Sequence, residues 1–549
     1  MSRRAGGQWA LGYREPLNGN ERMKRDDDGL NVRERIISKY SKEGFDSIWP
    51  DDLRGRFRWW GLYTQRRAGA EGDVEDLEDS HFMLRVRIPG GRLEAGQLRA
   101  VGRVAQRYGR DFADVTDRQN VQFHWIRIED VPAIWEELEA VGLNSAQACG
   151  DVPRNVIGCA LAGVAADELI DATSYIEEIE RRFLLDPQFS NLPRKFKTSV
   201  SGCAHHCGQH EINDISFVAV EHGGRVGFDL WVGGGLGPAP RLAQRLGAFV
   251  PPERVAEVWG GVCGVFRDYG YRRSRNYARL KFLIGDWGPE RFREVLEREY
   301  LTAPLEDGPA PAPSPAAQND HVGVVPQADG RVYVGAAPRA GRTSGSELVR
   351  VADLADRFGS GRVRLTTQQK LVVLDVEPDR ADALVAALEQ MDLQARPSLL
   401  RRGTMACTGS EFCKLAVVET KNRADALVRE LERRLPDLEE PIRINMNGCP
   451  NSCARFQLAD IGLLGSRVPG ADGERVEGFQ VHLGGHLGPD PSFARRVKGV
   501  RVASAELEDY LEGLLRRFLE TRAEDEPFHA WAARAEDQWL QPQVGALSA

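Results

Sequence analysis

The sequence has no long apolar stretch. Its longest apolar run, residues 156–166, is rich in glycine and alanine and is shorter than the roughly 20 residues that a membrane-spanning helix needs. The beginning of the chain carries many charges and no continuous apolar core, which excludes a signal peptide. We therefore expect a cytoplasmic protein that does not contact a membrane.

The sequence also lacks an excess of positive charge and is poor in cysteine. It has 73 Lys and Arg against 81 Asp and Glu, a net charge of −8, which offers no general attraction for nucleic acid. Only nine of the 549 residues are cysteines. In a reducing compartment such cysteines are metal ligands, redox groups or small core residues rather than disulfides. Any anion-binding site must therefore be local.

A segment rich in proline and alanine, residues 308–320, divides the chain near its middle. Three motifs that precede this linker return after it in the same order. They are TDRQ at 116–119 with TTQQ at 366–369, GCAHHC at 202–207 with GCPNSC at 448–453, and GGGLGP at 233–238 with GGHLGP at 484–489. This repetition predicts two copies of one unit, with ligand-binding loops from both copies.

The pattern of apolar residues predicts the elements of the first copy. Residues 81–89 and 121–128 have the spacing of strands, and 93–108 and 132–141 the spacing of helices. This order predicts a small α/β layer followed by a larger one in each copy. Residues 1–75 have scattered apolar positions and are predicted to form an arm that wraps the folded body.

Four cysteines in the second copy could hold a metal centre. Cys407 and Cys413 are separated by five residues, and Cys449 and Cys453 by three. Four thiolates in two pairs can bind a [4Fe–4S] cluster or a zinc ion. The spacing matches neither a zinc knuckle nor a zinc finger, so it favours the cluster over zinc, and a disulfide pair is the remaining alternative.

Basic residues of the first copy flank the loops that the repeat equates with these cysteines. Arg85 lies in a predicted strand, Arg154 in GDVPRNVIGC, and Lys195 and Lys197 in NLPRKFKTSVSGC. Each one alone is typical of a solvated charge at a strand end. Together, a basic pocket beside a metal cluster is what the reduction of a small oxyanion requires.

With these motifs the chain resembles the siroheme-containing, ferredoxin-dependent sulfite and nitrite reductases over nearly its whole length. The resemblance rests on the cysteine spacing with GCPNSC, and on MLRVR, RNV, LPRKFK and the duplicated glycine-rich loops. It implies an α+β or α/β fold, internally duplicated, with ferredoxin-like half-domains and two siroheme and Fe–S binding domains. The expected parts are the arm 1–75, half-domain 76–150, siroheme-binding domain 151–307, linker 308–320, half-domain 321–398, and siroheme and cluster domain 399–549.

The resemblance also implies the cofactors and the residues that hold them. Cys407, Cys413, Cys449 and Cys453 would ligate a [4Fe–4S] cluster, and Cys453 would bridge it to the siroheme iron. Siroheme has eight carboxylates, and its expected donors are Arg118, Gln119, Asn120, Gln122, His124, Thr366, Gln368 and Gln369. Backbone amides of 233–235 and 484–485 would add donors. The run 272–281, which contains Arg279 and Lys281, is either a further set of carboxylate partners or a solvated helix face.

The implied reaction is the six-electron reduction of sulfite to sulfide by an assimilatory sulfite reductase. Arg85, Arg154, Lys195 and Lys197 would bind the oxyanion and supply protons. Sulfite is favoured because nitrite-specific members of the family tend to have Asn where Lys197 stands. The alternatives are a nitrite reductase, which forms ammonia, and a non-catalytic Fe–S electron-transfer protein.

Two further expectations concern the electron donor and a covalent link. The sequence has no flavin or nicotinamide motif, since GGGLG does not fit G-x-G-x-x-G, so reduced ferredoxin is the expected donor to a monomeric enzyme. Some sulfite-reducing relatives join a Tyr in a WGLYTQR-like segment to a Cys in an RNVIGC-like segment. That resemblance predicts a thioether between Tyr63 and Cys159, with the alternative that both are ordinary packing residues.

Overall fold

The computed structural model describes residues 17–68, 70, 72, 76–313, 320–470 and 473–540. Parts of the predicted arm (1–16) and of the linker (314–319) lie outside these residues. The strands are numbered in chain order, and those that precede the linker, apart from β3, lie in two sheets. They are β1 Leu62–Arg66, β2 Glu78–Val86, β3 Arg92–Glu94, β4 Ala113–Val115, β5 Val121–Ile126, β6 Pro153–Gly158, β7 Phe196–Ser201, β8 Ile215–His222, β9 Arg225–Val232, β10 Gln244–Val250 and β11 Glu306–Asp307.

The strands that follow the linker repeat this arrangement. They are β12 Gly323–Pro326, β13 Val332–Ala336, β14 Arg342–Thr343, β15 Arg362–Leu365, β16 Leu371–Val376, β17 Thr404–Ala406, β18 Ile444–Asn447, β19 Ile461–Pro469, β20 Arg475–Leu483 and β21 Arg495–Ala503. The sheet order β11-β10-β9-β8-β7-β6 is matched by β21-β20-β19-β18-β17. In both sheets the first three strands are parallel and the later ones antiparallel. The predicted duplication is confirmed.

The α-helices lie between and around these sheets. They are Gly19–Asp26, Val32–Arg35, Ser41–Glu43, Pro50–Arg54, Ala95–Tyr108, Val131–Glu139, Thr173–Phe183, Val255–Tyr269, Leu280–Glu299, Gly345–Phe358, Ala381–Glu389, Leu399–Gly403, Lys421–Arg434, Leu507–Thr521 and Phe528–Arg534. The four elements predicted for the first copy are present, with ends that differ by up to a few residues. No helix within the described residues is long and apolar enough to cross a membrane.

The two small sheets exchange strands. The first has the order β1-β2-β5-β4-β14, and the second β12-β13-β16-β15-β3. Thus β14 of the second copy pairs with β4, and β3 of the first copy pairs with β15. The helices Ala95–Tyr108 and Gly345–Phe358 also approach closely, because a Cβ on Gly102 would stand 2.7 Å from the Gly345 carbonyl oxygen. One hydrophobic core accordingly spans both small sheets.

Each large sheet has a core of its own. The described part of the predicted arm is integrated more deeply than the sequence suggested. Trp59 is 2% exposed, its indole nitrogen donates to the Ser190 carbonyl at 2.7 Å, and β1 forms an edge of the first small sheet. The reason is that the aromatic residues of this segment fill the shared core instead of lying over its surface.

Candidate active site

The four cysteines of the second copy converge at one edge of its large sheet. Cys407 directly follows β17, and Cys449 and Cys453 follow the neighbouring parallel strand β18. Carboxyl ends of parallel strands meet at the same edge, and ligand sites form there. The loop that carries Cys413 is held against β1, since the Arg66 amide donates to the Phe412 carbonyl at 2.8 Å.

The sulfur atoms lie in surroundings that suit a metal cluster. The Gly448 amide donates to the Cys407 sulfur at 3.2 Å, and His124 stacks on Phe412 with ring centroids 3.9 Å apart. Burial, followed by the proximity of Cys453, raises the pKa of Cys407 and of Cys449 to about 12. Thiols in such surroundings ionise only when a cation compensates, as iron does when it binds thiolates.

The first copy contributes the amino ends of its strands to this region, whereas the second copy contributes the carboxyl ends. Arg154 is at the beginning of β6, and Lys195 and Lys197 are at the beginning of β7. Arg85 lies in β2, where its guanidinium donates to the Gln122 side-chain oxygen at 3.2 Å and to the Cys149 sulfur at 2.9 Å. These cations lie near the thiol of Cys453, which affects the pKa of both Arg85 and Lys195.

Burial, followed by mutual repulsion, lowers the pKa values of several of these cations. Burial and the neighbouring Lys197 hold the pKa of Lys195 well below its usual value. Burial and Arg118 lower the pKa of Lys197 to about 7. Burial likewise lowers the pKa of Arg118 to about 9. A pocket with this electrostatic character stabilises bound anions.

Tyr63 faces a different cysteine from the predicted one. Burial and then Cys149 raise the pKa of the Tyr63 phenol, and Arg85 hydrogen-bonds the same sulfur. Cys159 instead lies beyond the far end of β6, where its sulfur contacts Cys203 and Cys207. The predicted pairing of Tyr63 with Cys159 is therefore wrong, because β6 spans roughly 20 Å between the positions of the two cysteines.

Some of the predicted siroheme donors are placed where they could reach a ligand. Arg118 contacts the Asn213 side chain at 3.0 Å and the Asn155 carbonyl at 2.7 Å, beside Lys197. Arg279 is paired with Asp214 at 2.8 Å and also lies near Lys195. Arg279 is therefore not part of a solvated helix face, being 8% exposed.

Other predicted donors support the framework of the pocket. The Gln119 side chain bonds four backbone groups, among them the Leu365 carbonyl of the second copy at 2.8 Å. Gln369 bonds both backbone groups of Ala406. The Lys281 ammonium is held by carbonyls of the loop 235–239. The assignment of these three side chains to siroheme is corrected, because backbone partners already use their hydrogen-bonding groups.

The remaining predicted donors differ in how far their side chains are already bonded to the protein. Asn120 accepts from the Ile88 amide at 3.1 Å, and the Thr366 hydroxyl accepts from two amides of its own turn. His124 is bonded to Asp114 at 3.2 Å and is fully buried, so it packs beside the cluster loop. Gln122 connects Arg85 to the Thr408 hydroxyl, which it reaches at 3.2 Å. Gln368 is partly buried, with its backbone amide bonded to Thr366.

The glycine-rich loops do not offer the backbone amides that the sequence suggested. The amides of Gly233, Gly234 and Gly235 donate to Asp214, Asn213 and Arg241. Those of Gly484 and Gly485 donate to Asp460 and Ala459. Gly234 is needed for close packing, since a Cβ there would lie 2.4 Å from the Glu211 carbonyl oxygen. The repeated loops therefore shape the pocket instead of binding carboxylates through these amides.

Sequence reasoning missed several charged residues around the pocket. Asp151 binds Arg275 at 2.7 Å, Lys24 at 3.4 Å and Arg194 at 3.5 Å. Asp117 lies near Arg85, Arg118 and Lys197. Its negative charge acts to raise their pKa values, against the lowering effect of burial. Asp117 belongs to the TDRQ motif, so the repeat itself was the available signal. No sequence motif marked Cys149 as part of the pocket.

The residues present fit siroheme. The pocket gathers cations from several strands, and the ammonium groups of Lys195 and Lys197 have no hydrogen-bonding partner among the residues that the structure describes. Burying such charges without anions is costly. A tetrapyrrole with many carboxylates would supply that compensation. The Arg154 guanidinium lines the pocket but donates to the Gly150 carbonyl at 3.1 Å and to the Ala148 carbonyl at 3.2 Å.

Comparisons with known protein families match segments of both copies. Residues 149–305 and 400–546 match the family "Nitrite and sulphite reductase 4Fe-4S domain". Residues 75–141 and 325–391 match "Nitrite/Sulfite reductase ferredoxin-like half domain". Together these matches cover most of the chain and fall on both copies.

Individual relatives cover nearly the whole chain. A sulfite reductase (ferredoxin) of Mycobacterium tuberculosis is 55% identical over 97% of this chain and 98% of its own. A ferredoxin–nitrite reductase of Synechococcus elongatus is 38% identical over 91% of this chain and 96% of its own. The solved structure of the Mycobacterium tuberculosis NirA protein superposes with a TM-score of 0.95, with 55% identity over 97% of this chain and 100% of that chain.

Proposed function

Because the chain belongs to the nitrite and sulfite reductase family, we propose that it reduces sulfite to sulfide with six electrons from ferredoxin. The observation that carries this proposal is the group of cations near Cys453, in which Arg85 and Lys195 interact with its sulfur. Lys197 lies beside Lys195, and neither ammonium group has a hydrogen-bonding partner among the described residues. A protein that only relays electrons has no need of such a pocket. Nitrite is the alternative substrate within the same family.

Siroheme and the [4Fe–4S] cluster, when bound, would supply the redox chemistry of the reduction. Cys407, Cys413, Cys449 and Cys453 would hold the cluster, and Arg118, Gln368 and Arg279 are the proposed partners of the tetrapyrrole carboxylates. Arg85, Arg154, Lys195 and Lys197 would neutralise the oxyanion. The lysine ammonium groups donate protons as the oxygens leave as water.

The pocket favours sulfite over nitrite through its charge. Lys195 and Lys197 provide two ammonium groups on β7 or just before it. The sulfite dianion gains more from the second positive charge than the nitrite monoanion does, since the interaction scales with the product of charges. The relatives named as sulfite reductases are 53–55% identical, against 37–38% for those named as nitrite reductases.

The proposal is tested by steady-state kinetics with one reduced carrier and both anions. We expect kcat/KM for sulfite to exceed that for nitrite by about tenfold, the equivalent of 1.4 kcal/mol. A preference for nitrite would assign the chain to the other branch of the family. An absence of turnover with both cofactors present, verified by iron analysis and the visible siroheme bands, would favour an electron-transfer protein.

We propose that the covalent link expected for Tyr63 joins it to Cys149, whose charge affects the Tyr63 phenol, and not to Cys159. The link joins the phenol ring to the sulfur and removes two hydrogens, and the two electrons pass to an oxidant such as dioxygen. Peptide mapping of active, cofactor-loaded protein should yield the segments around Tyr63 and Cys149 as one species that resists reduction. Separate peptides with an alkylated Cys149 would exclude the bond, and Cys159 serves as the internal control because it should remain alkylatable after denaturation and metal removal.

We propose, as part of the same function, that the protein acts as a monomer in the cytoplasm. The donor in this setting is a separate ferredoxin. Sedimentation of the cofactor-loaded protein at working concentrations checks the first point, and a mass of about twice the 61.0 kDa chain would contradict it.

A further inference from the structure

The first copy carries cysteines at the positions that hold the cluster in the second copy. Cys159 directly follows β6, as Cys407 directly follows β17. Cys203 follows β7 with one residue between, as Cys449 follows β18. Cys207 stands at the same spacing from Cys203 as Cys453 from Cys449. The counterpart of Cys413 is the residue that this first-copy set lacks.

A histidine from beyond the linker enters this cysteine group. A ring nitrogen of His321 and the sulfurs of Cys159 and Cys207 all lie within 4.8 Å of one another. The exposed fractions are 2% for His321, 6% for Cys159 and 4% for Cys207. The Cys159 thiol also forms a side-chain hydrogen bond with Cys203, which is 4% exposed. Three thiols and an imidazole are thus gathered in the interior.

From this arrangement we propose a second metal site, in which Cys159, Cys203, Cys207 and His321 bind a zinc ion tetrahedrally. Three thiolates and one imidazole are a common ligand set for structural zinc. Bonds of about 2.3 Å to sulfur and 2.0 Å to nitrogen place tetrahedral ligand atoms roughly 3.5–3.8 Å apart. The ligand atoms of Cys159, Cys207 and His321 lie within 4.8 Å of one another, and small side-chain rotations would bring them to these separations.

The same distance argues against a second cubane. The four irons of a cubane separate its cysteine ligands more widely than a single ion does. Among the cluster cysteines Cys407, Cys413, Cys449 and Cys453, all of which the structure describes, no three bring their sulfurs within 4.8 Å of one another. The first-copy group is tighter, which fits one ion.

Residues of both copies surround the proposed metal site. His321 has a left-handed backbone with φ 62°, and its carbonyl oxygen lies where a Cβ on residue 335 would be, at 1.6 Å, so only Gly335 allows this course of the chain. The neighbouring Asp320 pairs with Arg402 at 2.5 Å. The Thr367 hydroxyl donates to the Cys207 carbonyl at 2.9 Å.

Backbone amides assist the thiolates. The Leu161 amide donates to the Cys159 sulfur at 3.4 Å, and the amide of His205 donates to the Cys203 thiol. Such bonds from outside the ligand set partly balance the negative charge that three thiolates leave on a divalent ion. The ion would tie the end of the linker to the first large sheet.

The test measures metal content in full-length protein loaded with its cofactors and saturated with zinc chloride, then desalted. We expect about one zinc per chain, in addition to about five irons from the cluster and the siroheme. Cys207→Ser and His321→Ala should each lose most of the zinc and keep the iron. Cys263→Ala is the matched control, because Cys263 is a fully buried cysteine within the helix Val255–Tyr269 and should keep both metals.

A direct measurement covers the case in which a ligand variant does not fold. X-ray absorption at the zinc edge of the wild-type protein should show three sulfurs at about 2.3 Å and one nitrogen at about 2.0 Å. A shell dominated by oxygen, less than about 0.2 zinc per saturated chain, or zinc unaffected in both folded variants would overturn the proposal. So would a disulfide among the three cysteines in protein purified without oxidant. None of these results depends on which oxyanion the enzyme reduces.

Discussion

Replacing Cys453 by serine is expected to abolish sulfite reduction. Cys453 is the last cysteine of the cluster set, lies among Arg85 and Lys195, and is the most exposed of the four cysteines. If its sulfur ligated both the cluster and the siroheme iron, as predicted from the sequence, it would leave no gap for the electron to cross. We expect kcat to fall by more than about a hundredfold, since even residues that only support metal ligands are worth about 10- to 100-fold.

The spectroscopic result separates this role from a general loss of structure. In Cys453→Ser the magnetic coupling between siroheme and cluster, measured by electron paramagnetic resonance and Mössbauer spectroscopy, should disappear. The control is Cys263→Ser, which changes a buried cysteine within the helix Val255–Tyr269 and should keep the coupling. Normal turnover by Cys453→Ser, with both cofactors intact and coupled, would show that another residue connects them.

Replacing Lys197 by asparagine is expected to change the choice of substrate. The variant loses one positive charge from the pocket while it keeps a side chain that can donate hydrogen bonds. We expect kcat/KM for sulfite to fall by about 10²- to 10³-fold, the size of the loss when one electrostatic contact to a developing anion is removed. The loss for nitrite should be smaller, because it carries a single negative charge.

The pH profile provides an independent readout of Lys197. Burial and Arg118 lower its pKa to about 7, so the ammonium is present below that pH and is lost above it. Bound carboxylates raise this pKa, and kcat/KM for sulfite should therefore decrease on an alkaline limb above about pH 7. Lys197→Asn should lack the limb, and the surface variant Lys498→Asn should retain it. Equal losses for both anions with an unchanged profile would remove Lys197 from substrate binding.

The duplicated fold and the cluster could be predicted because their signals are local. Cys407 and Cys449 follow adjacent parallel strands, so their spacing in sequence becomes proximity in space. The basic pocket was also predictable, because Arg154 and Lys197 begin the paired strands β6 and β7. These residues were identified from short motifs whose geometry the strands determine.

The errors arose where function and framework use the same residue types. Gln119 and Gln369 lie in matching turns with positive φ and bond backbone groups at the junction of the copies, a role that sequence cannot distinguish from ligand binding. The choice between Cys149 and Cys159 depended on which end of β6 faces Tyr63. Sequence distance from Arg154 is similar for both cysteines, whereas the strand carries them to opposite edges of the sheet.

The exchange of β3 and β14 between the small sheets has a consequence for the origin of the chain. A single copy could complete its sheet by exchanging this strand with a second molecule in a homodimer. Fusion of two copies in one chain makes the exchange intramolecular. Because the two copies are then encoded separately, a mutation changes one of the two related sites and not both. One cofactor edge could keep its cubane while the other was free to acquire a different ligand set.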